Sequence, residues 1–317
     1  MPRLLADLTP LKESQPFRRM WLGTSLSGIG TQLTNVAVAL QVFDLTGSNL
    51  AVGLVGLFAL VPLVVLGLYG GALVDAFDRR RVVLVTQVGI FAVALAFVAI
   101  SWLEIASPAW LYGLVAVQSG LFAVNSPARM AIVPRLIGVR LLPAANALSS
   151  LSFGVAMTIG PLLAGVVVAR SGYAIAYGVE AVLLVVAIAC LAGLPPLPPQ
   201  GEVRRAGLSS VLEGLRYLGT RPNVRMTFLV DMSAMVLAMP RVLFPAIGMV
   251  LVGGGATTAG MLVAAIATGA VLGGLLSGPL GHVRWQGRAI VVSVVVWGLA
   301  VVAFGFVVSL APGAGPG

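Results

Sequence analysis

Long apolar stretches alternate with short polar connections along most of the chain. Nine stretches can be marked, at residues 20–43, 51–74, 82–103, 109–133, 142–169, 173–194, 226–247, 258–280 and 288–310. About 20 apolar residues of helix suffice to cross the hydrocarbon core of a bilayer. The stretches are continuous and lack the alternating pattern of membrane strands, so they predict about nine transmembrane helices.

Composition and charge place the chain in a membrane. Hydrophobic residues make up 59% of the 317 residues and charged residues 9%, which predicts an all-α integral membrane protein. The net charge of +9 comes from arginines in alternate connections, whereas the connections between them carry Asp44, Glu104 and Arg170. The positive-inside rule therefore predicts a cytoplasmic N-terminus and an external C-terminus in the cell membrane. Membrane orientation, not nucleic-acid binding, accounts for the basic charge.

A proline-rich stretch near residue 195 divides the chain. We predict an N-terminal six-helix bundle at 1–194, a cytoplasmic linker with an amphipathic helix at 195–225, and an incomplete three-helix bundle at 226–317. Gly53, Gly67, Gly71 and Leu73 recur 207 residues later as Gly260, Gly274, Gly278 and Leu280. Parallel repeats of this kind occur in secondary transporters, with the substrate site between the halves. Compared with the first half, the second half lacks three helices of an expected twelve.

The connection after the second apolar stretch carries a family signature. Its residues Gly71, Leu73, Asp75, Arg79 and Arg80 resemble the loop between the second and third helices of the major facilitator superfamily. The chain is further similar to the enterobactin-exporter and macrolide-efflux branch, with supporting stretches at 30–32, 45–48, 125–129, 146–147, 160–161 and 243–245. The resemblance implies that Gly71, Asp75, Arg79 and Arg80 form a gating latch between the two bundles.

The same resemblance implies a function. It points to a secondary active exporter of small amphipathic molecules of drug or siderophore type, coupled to protons and working by alternating access. The alternative is a truncated, non-transporting membrane protein or remnant of such an exporter.

Three features qualify the resemblance. Ala76 and Asp78 depart from the usual loop pattern, and the fourth helix lacks the arginine that many members carry before Gly120.

Gly160, Pro161 and Gly165 resemble the glycine-proline motif of exporters. A kinked, closely packed helix is an equally good interpretation of that motif.

Ionisable groups inside the membrane are candidate proton or substrate sites, since each costs about 3 kcal/mol to insert near a helix centre. Asp231 is the leading candidate, and the alternative is a hydrated or paired carboxylate. Arg241 can bind an anionic substrate, although its side chain snorkelling outward is favoured. Glu180 can accept a proton, although the peripheral sixth helix of resembled proteins favours a lipid-headgroup contact.

A polar stripe runs along the first predicted helix. Thr24, Ser27, Thr31 and Asn35 recur at helical spacing, which places them on one face. A hydrated translocation path and hydrogen-bonded helix packing are nearly equal interpretations, so Thr31 and Asn35 are candidate transport residues.

Residue counts exclude several enzyme classes. Lys12 is the only lysine, which excludes a phosphate-binding loop, and a single histidine excludes a two-histidine zinc motif. The sequence predicts no enzyme, no cofactor and no metal. Its expected partners are a small-molecule substrate, protons and the lipid bilayer.

Overall fold

Helices make up the described structure. The computed structural model describes residues 8–105, 107–198, 240–275 and 286–310, and positions 216, 219–222, 225–226, 229–230 and 232–233. These residues contain no strand. The helices are α1 Thr9–Glu13, α2 Gln15–Thr46, α3 Asn49–Ala76, α4 Arg79–Trp102, α5 Pro108–Leu136, α6 Leu142–Ala192, α7 Phe244–Ala246, α8 Gly255–Leu275 and α9 Gln286–Ser309. Short turns of 3₁₀ helix at Val139–Leu141 and Pro240–Leu243 precede α6 and α7, and a π-helical turn follows at Ile247–Leu251.

The predicted apolar stretches correspond closely to these helices. The first six lie in α2 to α6, to within two residues, and the last two begin in α8 and α9. The stretch at 226–247 falls largely outside the described residues. The prediction of a helical membrane protein is confirmed.

Local sequence explains where the helices begin and end. Ser14 caps α2, because its hydroxyl accepts the Phe17 N–H at 3.2 Å and donates to the Leu136 carbonyl at 2.8 Å. Gly47 ends α2 with a positive φ of 61°, and its N–H bonds the Phe43 carbonyl. Asp78 caps α4 by accepting the N–H groups of Arg80 and Arg81.

Helix α6 is a hairpin of two segments. Gly172 interrupts it with φ 78° and ψ 178°, a conformation that glycine adopts without a Cβ clash. Before the break, Ala156 lies near Gly28 and Gly160 near Gln32, so this segment runs parallel to α2. After the break, Cys190 lies near Gly23 and Glu180 near Gly30, so this segment runs antiparallel. The two predicted stretches at 142–169 and 173–194 are therefore separate crossings.

The hairpin organises the packing. Both of its segments contact α2, while α3 pairs with α5, and α4 packs against α5 and α6. Helix α8 packs against the first segment of α6. The largest buried cluster includes Leu33, Leu40, Phe97 and Tyr177. The rings of Phe97 and Tyr177 stack with their centroids 4.9 Å apart.

Outer surfaces are apolar where lipid is expected. Four segments of the described chain are long and apolar enough to cross a membrane, at Asn49–Gly67, Arg79–Trp102, Leu142–Ala192 and Val291–Ser309. Large aliphatic side chains such as Leu57, Leu60 and Val64 are about half exposed on α3. Helices α2 and α5 are less apolar because they supply most of the polar residues described next.

Candidate binding cavity

A cavity of about 560 Å³ lies among α2, α3, α4, α5 and the first segment of α6. Its volume is within the range of small-molecule sites. Apolar residues of the wall include Trp21, Phe122, Met130 and Phe153. The wall also carries hydroxyl, amide and guanidinium groups, from Thr24, Ser25, Ser27, Thr31, Gln32, Asn35, Gln118, Ser119, Asn125, Ser126, Arg129, Ser149 and Ser152.

The polar stripe of α2 faces this cavity. Thr24, Ser27, Thr31 and Asn35 all belong to its wall, as a hydrated path requires. Ser27 also accepts a hydrogen bond from Gln87, so the packing interpretation holds at that one position. The function of Thr31 and Asn35 in transport stays a prediction.

Glu180 lies in the protein core and not at the membrane surface. Its side chain is fully buried between α2 and α5, where it accepts hydrogen bonds from the Thr34 hydroxyl and from Gln118 Nε2 at 3.1 Å. Gly30 makes room for it, since a Cβ there would lie 3.1 Å from Glu180 Cγ. The favoured headgroup contact is therefore wrong, because the second segment of α6 turns this face toward α2.

Gln118 connects the buried acid to the cavity. The same side chain belongs to the cavity wall and donates to Glu180. One amide thus separates a titratable carboxyl group from the space that a ligand would fill.

A second network surrounds Arg129, which the sequence interpretation did not single out. Arg129 Nη2 donates to Gln87 Oε1, and Gln87 Nε2 donates to Ser27 Oγ at 3.1 Å. Arg129 Nε is buried and has no hydrogen-bond partner within the described residues. The available signal was an arginine inside the apolar stretch 109–133, where a charge is costly.

The predicted latch residues lie where α3 ends and α4 begins. Gly71 and Asp75 belong to the last turns of α3, and the Asp75 side chain lies outside the described part of the structure. Arg79 Nη1 donates to the Ala131 carbonyl at 3.3 Å, and Arg80 Nη2 donates to the Ala192 carbonyl at 2.6 Å. Both arginines therefore bind carbonyls at the ends of other helices.

The start of the predicted linker is held against this loop. Leu197 donates its N–H to Asp78 Oδ2 at 3.1 Å and accepts the Arg79 N–H at 3.2 Å. Arg135 donates to the Pro198 carbonyl at 2.7 Å, and Arg19 to the Gly193 carbonyl at 2.9 Å. Asp78, a departure from the family pattern, thus joins the α4 cap to the linker.

The glycine-proline motif mediates two close helix contacts. A Cβ at Gly160 would lie 2.6 Å from Gln32 Cβ and 3.0 Å from the Ile29 carbonyl oxygen, so Gly160 contacts α2. A Cβ at Gly165 would lie 2.8 Å from the Ala256 carbonyl oxygen, so Gly165 contacts α8. Opposite it, a Cβ at Gly260 would lie 2.5 Å from the Pro161 carbonyl oxygen. Close backbone approach explains the small residues.

The two remaining candidates are separate from these networks. Arg241 lies in the Pro240–Leu243 turn beside α3, and its Nε is buried with no hydrogen-bond partner in the described part of the chain. Asp231 lies outside the described residues. The roles of both stay predictions.

Comparison with known proteins identifies the family. Residues 5–312 match the family model described as transmembrane secretion effector. The chain is 32% identical over 304 residues to an enterobactin exporter of Citrobacter koseri, covering 95% of this chain and 72% of that relative. Enterobactin exporters of Shigella boydii serotype 18 and Escherichia coli are 32% and 31% identical with the same coverage. The predictions of a transporter and not an enzyme, and of the superfamily, are confirmed. The chain belongs to the transmembrane secretion effector family of the major facilitator superfamily.

Proposed function

We propose that this exporter of small molecules is a secondary active transporter of amphipathic substrates, driven by proton entry and working by alternating access. The observation that carries the proposal is the 560 Å³ cavity, with its polar α2 stripe on one side and a buried acid one amide away. The similar proteins are named enterobactin exporters, which supports a siderophore-type or drug-type substrate for this chain.

The cavity wall supports an amphipathic substrate. Its aromatic and methionine side chains offer an apolar surface, while its hydroxyl and amide groups offer hydrogen bonds. Sites of this composition orient a largely apolar ligand through a few polar contacts.

Proton coupling requires an acid whose protonation changes during the cycle. Glu180 is our first candidate for this acid in the described chain, because protonation would change its hydrogen bonds to Thr34 and to Gln118, which lines the cavity. Asp231 is the second candidate from the sequence. The two are separable by comparing Glu180→Gln with Asp231→Asn in one transport assay.

Alternating access needs two bodies that move against each other. We assign residues 1–194 to one bundle and 226–317 to the other, with 195–225 as the linker. The α6–α8 glycine contact then lies between the bundles, and Gly71, Asp75, Arg79 and Arg80 form the latch at one end.

Orientation follows from the arginines. Arg79, Arg80, Arg135 and Arg140 lie at one end of the helices, and Glu104 at the opposite end. We assign the arginine-rich end to the cytoplasm of a bacterial inner membrane, with the N-terminus inside and Gly317 outside.

Cysteine labelling tests this orientation. In a Cys190→Ala background, a membrane-impermeant maleimide added to intact cells is expected to label Glu104→Cys strongly. It is expected to label Arg140→Cys only after permeabilisation, because that residue would lie in the cytoplasm. The reverse pattern would contradict the orientation.

Transport is tested in inside-out vesicles that contain the full chain. Fluorescein and rhodamine 123 share a ring system and differ in charge, so the pair tests one anionic and one cationic substrate. Acidifying the vesicle lumen is expected to drive accumulation of at least one dye, and an uncoupler is expected to release it. Accumulation of neither dye above that in empty vesicles would favour the non-transporting alternative.

A further inference from the structure

The charge in the cavity wall has one sign. Among the described residues that line the cavity, Arg129 is the only charged one, and no aspartate or glutamate accompanies it. Glu180 lies behind Gln118 and is fully buried, so its carboxylate does not form part of that wall.

The guanidinium of Arg129 is incompletely satisfied. Its partner Gln87 is a neutral amide that accepts one N–H, and Nε is buried without a partner in the described residues. A guanidinium carries five N–H donors and binds planar oxyanions through two of them at once. Arg129 is partly buried in the cavity wall and has no carboxylate partner there, so an anion that enters the cavity can compensate its charge.

Neighbouring residues provide complementary contacts. Ser126 lies one turn away on the same face of α5 and offers a hydroxyl group. Met130 is adjacent to Arg129 in the sequence, Phe122 lies about two turns away on the same helix, and Phe153 lines the cavity from α6. Aromatic rings and a methionine thioether favour a flat, polarisable ring system.

From this arrangement we infer that the exported substrate is an anionic aromatic amphiphile, whose carboxylate, sulfonate or phenolate oxygens bind Arg129 while its rings pack on Phe122 and Phe153. The inference rests on the proposed function and specifies its substrate class. A cationic amphiphile of the same shape meets an unbalanced positive charge and is rejected.

Binding to the purified full chain in neutral detergent tests the inference without any pH gradient. Fluorescence polarisation at neutral pH measures the dissociation constants of fluorescein, an anion, and rhodamine 123, a cation on a similar ring system. We expect fluorescein to bind at least tenfold more tightly. Equal binding, preference for rhodamine 123, or no binding of fluorescein would overturn the inference.

Variants locate the preference at Arg129. Arg129→Gln is expected to weaken fluorescein binding at least tenfold and to leave rhodamine 123 binding equal or tighter. Arg135→Gln is the matched control, since that arginine is on the same helix but binds the Pro198 carbonyl outside the cavity, and it is expected to preserve the preference. Unchanged fluorescein binding in a folded Arg129→Gln protein would overturn the assignment.

A second variant keeps the test decisive if Arg129→Gln does not fold. Ser126→Asp places a carboxylate beside Arg129 and is expected to remove the preference for fluorescein; a preserved preference would contradict the inference.

Failure of the anionic-substrate proposal can be distinguished from failure of the proton-driven export proposal. Charge-selective binding without dye accumulation in vesicles rejects proton-driven export only, whereas accumulation without charge selectivity rejects the anionic substrate only.

Discussion

Gly260→Ala is expected to destabilise the protein by about 1–3 kcal/mol and to abolish most transport. The new Cβ would lie 2.5 Å from the Pro161 carbonyl oxygen and 3.0 Å from Gly165 Cα. Both are backbone atoms, so no side-chain rotation relieves the overlap and α6 and α8 must separate. The thermal midpoint in detergent and dye accumulation in vesicles measure the two effects.

Gly269→Ala is the matched control on the same helix. A Cβ at Gly269 meets no atom within 4 Å, so alanine there is expected to leave the thermal midpoint unchanged or slightly raised. Gly165→Ala changes the opposite side of the contact. The double variant Gly165→Ala and Gly260→Ala is expected to lower the free energy of unfolding by less than the sum of the two single variants. If Gly260→Ala is as stable as Gly269→Ala, the close approach of α6 and α8 is contradicted.

How far the sequence predicts this structure depends on the range of the interaction. The boundaries of α2 to α5 can be predicted from the sequence because hydrophobic length and helix caps are local properties, as Ser14, Gly47 and Asp78 illustrate. The second partner of Asp78 cannot be predicted in this way, since Leu197 is 119 residues away in the sequence. A capping pattern predicts the helix start but does not indicate that the same carboxylate also holds the linker.

The same limit explains the misplaced Glu180 and the missed Arg129. Helical periodicity assigns Glu180 to a face of its helix, but which helix covers that face depends on the α6 hairpin and on Gly30. Arg129 belongs to a stretch that fits the family pattern, and its partners Gln87 and Ser27 come from two other helices. By contrast, the stripe at Thr31 and Asn35 was predictable because all its members lie on one helix.

Glu180→Gln is expected to lower gradient-driven accumulation at least tenfold while dye exchange without a gradient continues. Glutamine keeps the size of the side chain, and its amide still offers an acceptor to Gln118 and a donor to the Thr34 hydroxyl oxygen. The substitution therefore removes the exchangeable carboxyl proton with little change in packing. Vesicles with and without an imposed pH gradient measure the two activities in the same preparation.

Two companion variants separate coupling from stability. Glu180→Asp retains a titratable acid and is expected to keep partial gradient dependence, whereas Glu180→Leu leaves the Thr34 and Gln118 donors unpaired and is expected to cost about 1–3 kcal/mol for each buried group. An unchanged dependence on the gradient in a folded Glu180→Gln protein would make Glu180 a structural residue and leave Asp231 as the coupling candidate. Loss of exchange as well as accumulation would instead assign Glu180 to the architecture of the cavity, because Gln118 is the wall residue that it holds in place.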